Sequence, residues 1–345
     1  QEGRSGIEFR QSIPPRLKMS FNTRFLRADR PTFVRSMNIN RFIWIGVLLL
    51  ACATWGCQQE SQPIAPPLGG KAVNLDLWQG VLDLGNEKLP FQFTTAEAQE
   101  GESGYSAVTF LNGTERIEIK DIVQDGDSLV LKFPVFESAL HFVDSGDRWT
   151  GIWHNDARKT YRRIPFTAQK GENKRFPDQT APTGHDLSGR WEVQFIHNRQ
   201  DTTPAIGEFQ QSGNLLRGTF LTETGDYRYL EGTVAGKALR LSCFDGAHAF
   251  LFKATILENE LLRGEFFSGQ HWYETWWGVR SEGIALSDPD SLTYMKQPGE
   301  IFDFAFVDTG RDLISLTDPV FAGKPVVVQI TGSWCPNCKD EYPVL

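Results

Sequence analysis

The sequence predicts a mainly β protein, in which two tandem antiparallel β barrels or sandwiches precede the start of an α/β domain. Two observations predict the β domains. Short runs such as 116–120 and 128–133 alternate apolar with polar residues, and Gly, Asn and Asp residues separate the runs. A third observation concerns the end of the chain, where the continuous β-branched run 326–330 is typical of a buried parallel strand.

The composition is that of a globular protein. The chain has 345 residues, a net charge of −8, 40% hydrophobic residues and 23% charged residues. These values exclude collagen-like, disordered and polytopic membrane classes. The acidic balance also argues against a nucleic acid partner, because no basic surplus is available to neutralise phosphates. The five cysteines are an odd number and are spread unevenly, so they do not form a disulfide framework.

The first 56 residues have the pattern of an export signal. Residues 1–36 are rich in Arg and lack apolar periodicity. We interpret them as an upstream extension, with a transit peptide as the alternative. Residues 37–56 are predicted to be a signal peptide, because Met37 opens a short positive segment and residues 42–53 carry no charge. Twelve uncharged residues are too few to span a bilayer.

The end of this segment resembles the lipobox of bacterial lipoproteins, since Gly56 and Cys57 are followed by polar residues. The resemblance implies cleavage before Cys57 and attachment of diacylglycerol to its thiol, with residues 57–73 as the lipidated Cys and a tether. Cys52 is a competing site, and an ordinary signal peptide or uncleaved anchor is the other alternative. The implied location is the periplasmic side of a bacterial cell envelope, where attachment rests on the acyl chain.

Two regions, 74–170 and 184–286, are predicted to be copies of one β domain. Trp78 and Trp191 open them at an offset of 113 residues, and the same offset relates Gly151 to Gly264. At an offset of 110, residues 126–133 are similar to residues 236–243. Similar spacing of strand, turn and aromatic residue predicts a duplicated antiparallel barrel or sandwich. Residues 175–183, which contain two prolines, are the predicted linker.

Three features of the second copy have two possible interpretations. Cys243 lies at an apolar strand position and is predicted to be a buried, unreactive thiol. The aromatic run 271–277 places aromatic residues on both strand faces; a ligand cup or docking surface is possible, but a strand covered on both sides is favoured. The six histidines show no pair at ligand spacing, so no metal site and no cofactor are predicted.

Residues 297–345 carry the motif with a predicted chemistry. Pro336 suits the first position of a helix, which places Cys335 at the N-cap, where its thiolate meets the positive end of the helix dipole. The pKa of Cys335 is therefore expected to lie below that of a free thiol. Cys338 is one turn further on, at a Cα separation of about 5–6 Å that suits a disulfide. Zinc, haem and peroxidatic sites each need a further residue that this segment lacks.

This segment resembles the TlpA/ResA branch of thioredoxin-like redoxins through the pattern Trp-Cys-x-x-Cys-x-x-Glu-x-Pro-x-Leu over 334–345, preceded by Pro-Gly at 298–299. The resemblance implies a membrane-tethered, extracytoplasmic thiol-disulfide oxidoreductase, of the kind often used in cytochrome c maturation. It implies that Cys335 attacks, Cys338 resolves and Glu341 tunes the pair. The implied partners are a disulfide-containing protein substrate and an unidentified membrane or periplasmic electron donor.

The predicted function is therefore protein disulfide reduction or exchange. Residues 297–345 match only the N-terminal part of a thioredoxin-like domain, so the chain is expected to be C-terminally truncated and inactive as it stands. The alternative is a binding module, in which the β domains recognise a ligand or partner and the redox domain is accessory. A lesser alternative is a peroxiredoxin-like antioxidant activity.

Overall fold

A computed structural model describes residues 76–98, 104–134, 137–156, 158–172, 174–198, 201–292, 294–295, 299, 303–332, 335, 338 and 341. Their strands form two nine-stranded antiparallel sheets and one two-stranded hairpin. The predicted extension, signal peptide and tether, including Cys57, lie outside the described residues. Within the described ranges, no helix has the length and apolar character needed to cross a bilayer.

The first sheet, here called the first barrel, has the strand order β4-β3-β2-β1-β9-β8-β7-β6-β5. Its strands are β1 (Asp76–Asp83), β2 (Lys88–Glu97), β3 (Tyr105–Asn112), β4 (Glu115–Ile119), β5 (Ile122–Asp125), β6 (Ser128–Lys132), β7 (Ser138–Asp144), β8 (Arg148–Asn155) and β9 (Arg163–Lys170). Most neighbours in space are neighbours in the chain. The sheet is therefore an up-and-down meander whose first and last strands, β1 and β9, are hydrogen-bonded to each other.

The second sheet, here called the second barrel, is a similar meander with the order β11-β10-β18-β17-β16-β15-β14-β12-β13. Its strands are β10 (Gly189–His197), β11 (Asp201–Ser212), β12 (Leu215–Thr222), β13 (Gly225–Asp226), β14 (Leu230–Ala235), β15 (Ala238–Phe244), β16 (Ala249–Ile256), β17 (Leu262–Ser268) and β18 (Trp272–Arg280). β10 pairs with both β11 and β18, while β12 pairs with both β11 and β14. These pairings close eight strands into a ring, so only the two-residue β13 lies outside it.

Few other regular elements are described. They are a 3-10 turn at Glu258–Glu260, the helical turn α1 (Pro289–Leu292), the hairpin of β19 (Ala305–Val307) and β20 (Leu313–Ser315), and a 3-10 turn at Pro319–Phe321. The mainly β class with two antiparallel β units is thus confirmed, whereas the domain boundaries given above stay predictions.

The positions that suggested duplication have equivalent roles. Gly151 on β8 and Gly264 on β17 each face a neighbouring strand so closely that a Cβ would overlap a backbone oxygen, that of His141 in the first barrel and that of Lys253 in the second. Strands of a small barrel coil strongly, and glycine allows the close approach. The shared offset therefore marks the same point of strong coiling in both barrels.

Alternation along the strands fills both interiors with aromatic side chains. Trp78 and Trp191, which open the two copies, are 1% and 0% exposed. In the first barrel Trp78 lies 4.7 Å from Trp149, centroid to centroid, and in the second Phe252 lies 4.4 Å from Phe266. Since these rings occupy the space inside each ring of strands, the interiors are packed cores rather than open cups.

Cys243 is completely buried on β15, as predicted from its apolar strand position. Burial raises the pKa of its thiol, and the nearby Asp245 and Glu115 carboxylates raise it further. The thiol is therefore kept protonated and unreactive.

The turn between β15 and β16 joins the two barrels. Its Phe244 is fully buried and belongs to the apolar core of the first barrel, together with Ala249 and Leu251 from the second. The Phe244 ring lies 4.7 Å from Phe91 and 5.2 Å from Trp153, centroid to centroid. The second barrel therefore inserts an aromatic side chain into the core of the first barrel and covers one end of it. We call Phe244 and this turn the plug.

Polar groups around this plug are satisfied by side chains of the first barrel. Asn112 donates from Nδ2 to the Phe244 carbonyl at 3.0 Å and accepts from the Phe244 amide at 3.3 Å. Ser138 Oγ and Trp153 Nε1 both donate to the Gly246 carbonyl, at 2.6 and 3.1 Å. A buried backbone turn needs such partners, because an unpaired polar group there costs about 1–3 kcal/mol.

A buried carboxylate completes the turn. Asp245 accepts hydrogen bonds from the Ala247 and His248 amides at 2.8 and 2.6 Å, and its second oxygen lies 2.9 Å from His248 Nδ1 and 3.6 Å from Arg228 Nε. Burial alone would raise the pKa of Asp245. The His248 charge, the hydrogen bonds and the Arg228 guanidinium outweigh it and lower the pKa. Asp245 is thus held as an anion between the barrels.

The C-terminal expectation is wrong. Residues 326–330, predicted to be a buried parallel strand, form no strand, and Val327 and Ile330 are 81% and 86% exposed. The only described strands after residue 300 are β19 and β20, which pair antiparallel. A β-branched run becomes a parallel strand only beside a neighbouring strand, and the described residues provide none here.

Replacing Phe244 should destabilise the joined barrels. Phe244→Ala removes a fully buried ring from a core built by both barrels, so we expect a loss of about 3–5 kcal/mol in the free energy of unfolding. Chemical denaturation followed by tryptophan fluorescence measures it. Phe306→Ala, on the exposed β19, is the matched control and should cost less than about 1 kcal/mol. Equal losses in the two variants would show that Phe244 is not a core residue.

Replacing Asp245 should have a pH-dependent effect. Asp245→Asn is expected to lower stability by about 2 kcal/mol at pH 7, because hydrogen bonds to a buried anion are lost. Because the pKa of Asp245 is lower in the folded protein, the carboxylate stabilises the fold at any pH above about 3.9, the pKa of Asp in the unfolded chain. This stabilisation is lost as the pH falls through the lower pKa of the folded state.

The measurement is the free energy of unfolding of both proteins at pH 7 and at pH 3 or below. The difference between them should shrink at the lower pH. Asp178→Asn, which breaks an exposed pair with Arg240, is the control and should change stability by less than about 1 kcal/mol. A difference that stays constant with pH would contradict the assignment.

Candidate binding groove on the second barrel

The predicted redox residues lie together in the described part of the C-terminal segment. Cys335 and Cys338 form a disulfide with a Cα–Cα distance of 5.3 Å. The Cys338 amide donates to Cys335 Sγ at 3.2 Å. Glu341 Oε2 accepts a hydrogen bond from Gln329 Nε2 at 3.0 Å. The two cysteines are therefore joined and Glu341 contacts Gln329, but no sheet of the kind that supports a thioredoxin site lies beneath them among the described residues.

A groove of about 790 Å³ crosses the outside of the second barrel, over β15, β16, β17 and β18. Two rows of outward-facing side chains line it, as the strand register shows. One row runs through Arg240, Lys253, Glu265 and Thr275, and the other through Ala238, Thr255, Arg263 and Trp277. Because Ala238 and the two threonines are small, the surface is concave between the larger side chains.

The floor of the groove is low because the residues beneath it are also small. Ala254 and Gly264 point inwards at this level, and the Trp276 indole lies directly under Gly264, where a Cβ would overlap it. Trp276 Nε1 donates to the Glu265 carbonyl at 3.3 Å, which fixes the indole beneath the strand. The same glycine that permits coiling therefore also lowers the floor of the groove.

The outer strand face carries an aromatic platform. Trp277 is half-buried on β18 and pairs with Arg263 on β17. The alternation predicted for 271–277 is confirmed, since Glu274 and Trp276 are buried while Tyr273 and Thr275 are exposed. The favoured interpretation, a strand covered on both sides, is wrong. Its outer face borders an open groove among the described residues.

Two of the three groove cations have partners. Lys253 Nζ lies 2.5 Å from Glu87 and 3.2 Å from Glu265. Burial would lower the pKa of Lys253, but the hydrogen bonds to these two carboxylates raise it. Arg240 is 3.0 Å from Asp178.

Arg263 differs from both of them. It is exposed and makes no ion pair or side-chain hydrogen bond with the described residues. Its guanidinium is therefore available to an anionic ligand.

The groove has the chemistry of a binding site rather than of a catalytic one. Its lining offers a flat aromatic face, hydroxyl groups and one unpaired guanidinium, but Glu265 is its only carboxylate among the described lining residues. That carboxylate is already engaged by Lys253 and by Tyr273 Oη, which donates to it at 2.9 Å. The sequence showed Trp277 through alternation, whereas Arg263 lies in a strand whose register could not be read without the partner strand.

No protein-family model matches the chain, and no curated protein is significantly similar to it.

Two solved structures are similar at low scores. One is described as "a putative outer membrane protein" from Bacteroides fragilis, with 10% identity and a TM-score of 0.22, covering 60% of this chain and 97% of that one. The other is a protein of unknown function of the DUF3598 family from Nostoc punctiforme, with 11% identity and a TM-score of 0.20, covering 59% of this chain and 94% of that one.

The resemblance to thioredoxin-like redoxins is accordingly corrected. The described residues form antiparallel β sheets in place of the α/β domain that the resemblance implies. The predictions of a thiol-disulfide oxidoreductase, of enzymatic activity and of redox function are wrong on these findings. The roles predicted for Cys335, Cys338 and Glu341 depended on that function. What the structure shows there is a disulfide and a nearby carboxylate.

Proposed function

We propose that the second barrel binds an acidic saccharide in the groove over β15–β18. The observation that carries the proposal is that Arg263, an exposed guanidinium without a partner among the described residues, pairs in register with Trp277 on the adjacent strand. An aromatic face packs against the apolar C–H face of a sugar ring. A guanidinium beside it can bind a carboxylate through two parallel hydrogen bonds.

The charges around the groove support an anionic ligand. Three cations and one carboxylate line this surface, and Arg263 is the cation that pairs with no described carboxylate. Its guanidinium can form charge-assisted hydrogen bonds with an anion. Thr255 and Thr275 supply hydroxyl groups that suit the polar edge of a sugar.

We also propose that the chain is anchored at the cell envelope through a lipid on Cys57. The support is the sequence pattern of residues 37–57 alone, in which an uncharged segment ends at Gly56-Cys57. The location on the periplasmic side belongs to the same proposal.

Saccharide binding can be tested with a uronic-acid trisaccharide and a neutral glucose trisaccharide as probes. We expect the wild-type protein to bind the acidic probe more tightly, and Arg263→Ala to weaken that binding about tenfold, the equivalent of about 1.4 kcal/mol. Trp277→Ala should weaken binding of both probes, since it removes the platform. Isothermal titration calorimetry measures the affinities.

Matched controls keep this test specific. Arg148→Ala removes an exposed guanidinium from the first barrel, and Trp272→Ala removes an exposed indole near the other end of β18. Both variants should bind like the wild type. Equal affinity for the two probes, or equal loss in Arg148→Ala and Arg263→Ala, would refute the proposal.

Lipid attachment has a separate test. In a bacterial host supplied with a labelled fatty acid, the full chain should incorporate label, and Cys57→Ala should abolish labelling and leave an uncleaved precursor. Cys52→Ala is the control and should retain the label. Loss of label only in Cys52→Ala would move the site to Cys52.

A further inference from the structure

Two histidines on neighbouring strands meet on the outside of the first barrel. His141 on β7 and His154 on β8 have their Nε2 atoms 2.8 Å apart, and their ring centroids are 4.5 Å apart. Both side chains are only partly buried. Two imidazole nitrogens that converge at the surface are a common arrangement for binding a metal ion.

The strand register explains the meeting. Ala139 pairs with His154, and His141 pairs with Ile152, so the two histidines are diagonal neighbours on one face of an antiparallel pair. They are thirteen residues apart because the hairpin turn lies between them. The expectation that no histidine pair lies at ligand spacing is therefore wrong for these two.

A carboxylate lies behind one of the two rings. Asp156 Oδ2 is 3.5 Å from His154 Nδ1, on the side of the ring opposite to His141. Arg162 binds the other Asp156 oxygen at 2.5 Å and fixes its position. A carboxylate at Nδ1 favours the tautomer whose Nε2 carries a lone pair, which is the usual outer-shell arrangement of a metal-binding histidine.

The ligand atoms indicate the kind of metal. The two Nε2 atoms converge at 2.8 Å on one face of the barrel. Imidazole nitrogen suits copper, nickel and zinc, and among the divalent first-row ions copper(II) binds a given nitrogen site most tightly.

The surrounding charges affect both protons and metal ions. Burial lowers the pKa of His154, and His141, Arg163 and Arg162 lower it further, while Asp156 opposes them. The two arginines also repel a metal cation, but Arg162 is already neutralised by Asp156.

We propose that His141 and His154 bind a divalent transition metal ion, with copper(II) preferred. Nε2 of each histidine supplies one bond, and the proton that they share in the metal-free protein moves to Nδ1 of His141. The described residues contain no group of three or more metal-ligating side chains. Water therefore completes the coordination of the ion at this partly exposed face.

The test uses the full chain, freed of metal with a chelator and titrated with copper(II) chloride near pH 7. Calorimetry gives stoichiometry and affinity, and electron paramagnetic resonance detects nitrogen ligands through their hyperfine splitting. We expect His141→Gln and His154→Gln each to remove one copper site with nitrogen ligands. Asp156→Asn should weaken that site by about tenfold or more, because it removes the outer-shell carboxylate.

His185→Gln is the matched control, since this partly buried histidine lies between the barrels in the chain and its backbone bonds to Thr183 and Gln211, away from the pair. It should leave the site intact. The proposal fails if the stoichiometry is unchanged in His141→Gln and His154→Gln, or if His185→Gln causes the same loss. Circular dichroism of each variant shows whether the β structure persists. If a histidine variant loses both copper and its fold, the Asp156→Asn titration decides instead. Unchanged copper affinity in Asp156→Asn would then overturn the proposal.

Discussion

The insertion of Phe244 into the end of the first barrel is the contact on which the arrangement of the two barrels depends. A hairpin tip normally lies in solvent, yet this one is buried by Phe91, Phe110, Phe133 and Trp153 of the other barrel. Since the first barrel does not close through a β3–β5 ladder, as the second does through β12–β14, its core needs a cover at this end. The second barrel supplies that cover, and the buried anion Asp245 and the amide of Asn112 hold the turn in register with it.

Packing of both interiors decides where ligands can bind. Up-and-down barrels commonly hold a ligand inside, but tryptophan and phenylalanine side chains fill these two. The concave surfaces that remain lie on the outside, where small residues alternate with long charged ones. The groove over Ala238, Thr255 and Thr275 is one of these. Binding on an outer sheet face also leaves the core free to be optimised for packing alone.

The sequence predicts the repeated fold well because its signals are local or periodic. Alternation places Trp78, Trp191 and Trp276 inside, and the offset of 113 residues pairs Gly151 with Gly264 at the same point of strong coiling. Prediction from the sequence fails where the role of a residue depends on a strand that is distant along the chain. Phe244 reads as the last apolar residue of a strand, although its partners are more than 90 residues distant. His141 and Arg263 likewise depend on register, which turn lengths fix only after folding. The redoxin interpretation failed because a short motif was extended to a whole domain.

In each barrel the first strand is hydrogen-bonded to the last, β1 to β9 and β10 to β18. The chain thus enters and leaves each barrel at adjacent strands. A second barrel can therefore follow the first along the chain without threading and without rearrangement of the existing strand pairs. The two barrels share this strand pairing and differ at their ends, since the second carries the hairpin tip with Phe244 and the first buries it. That difference gives the pair of barrels a direction along the chain.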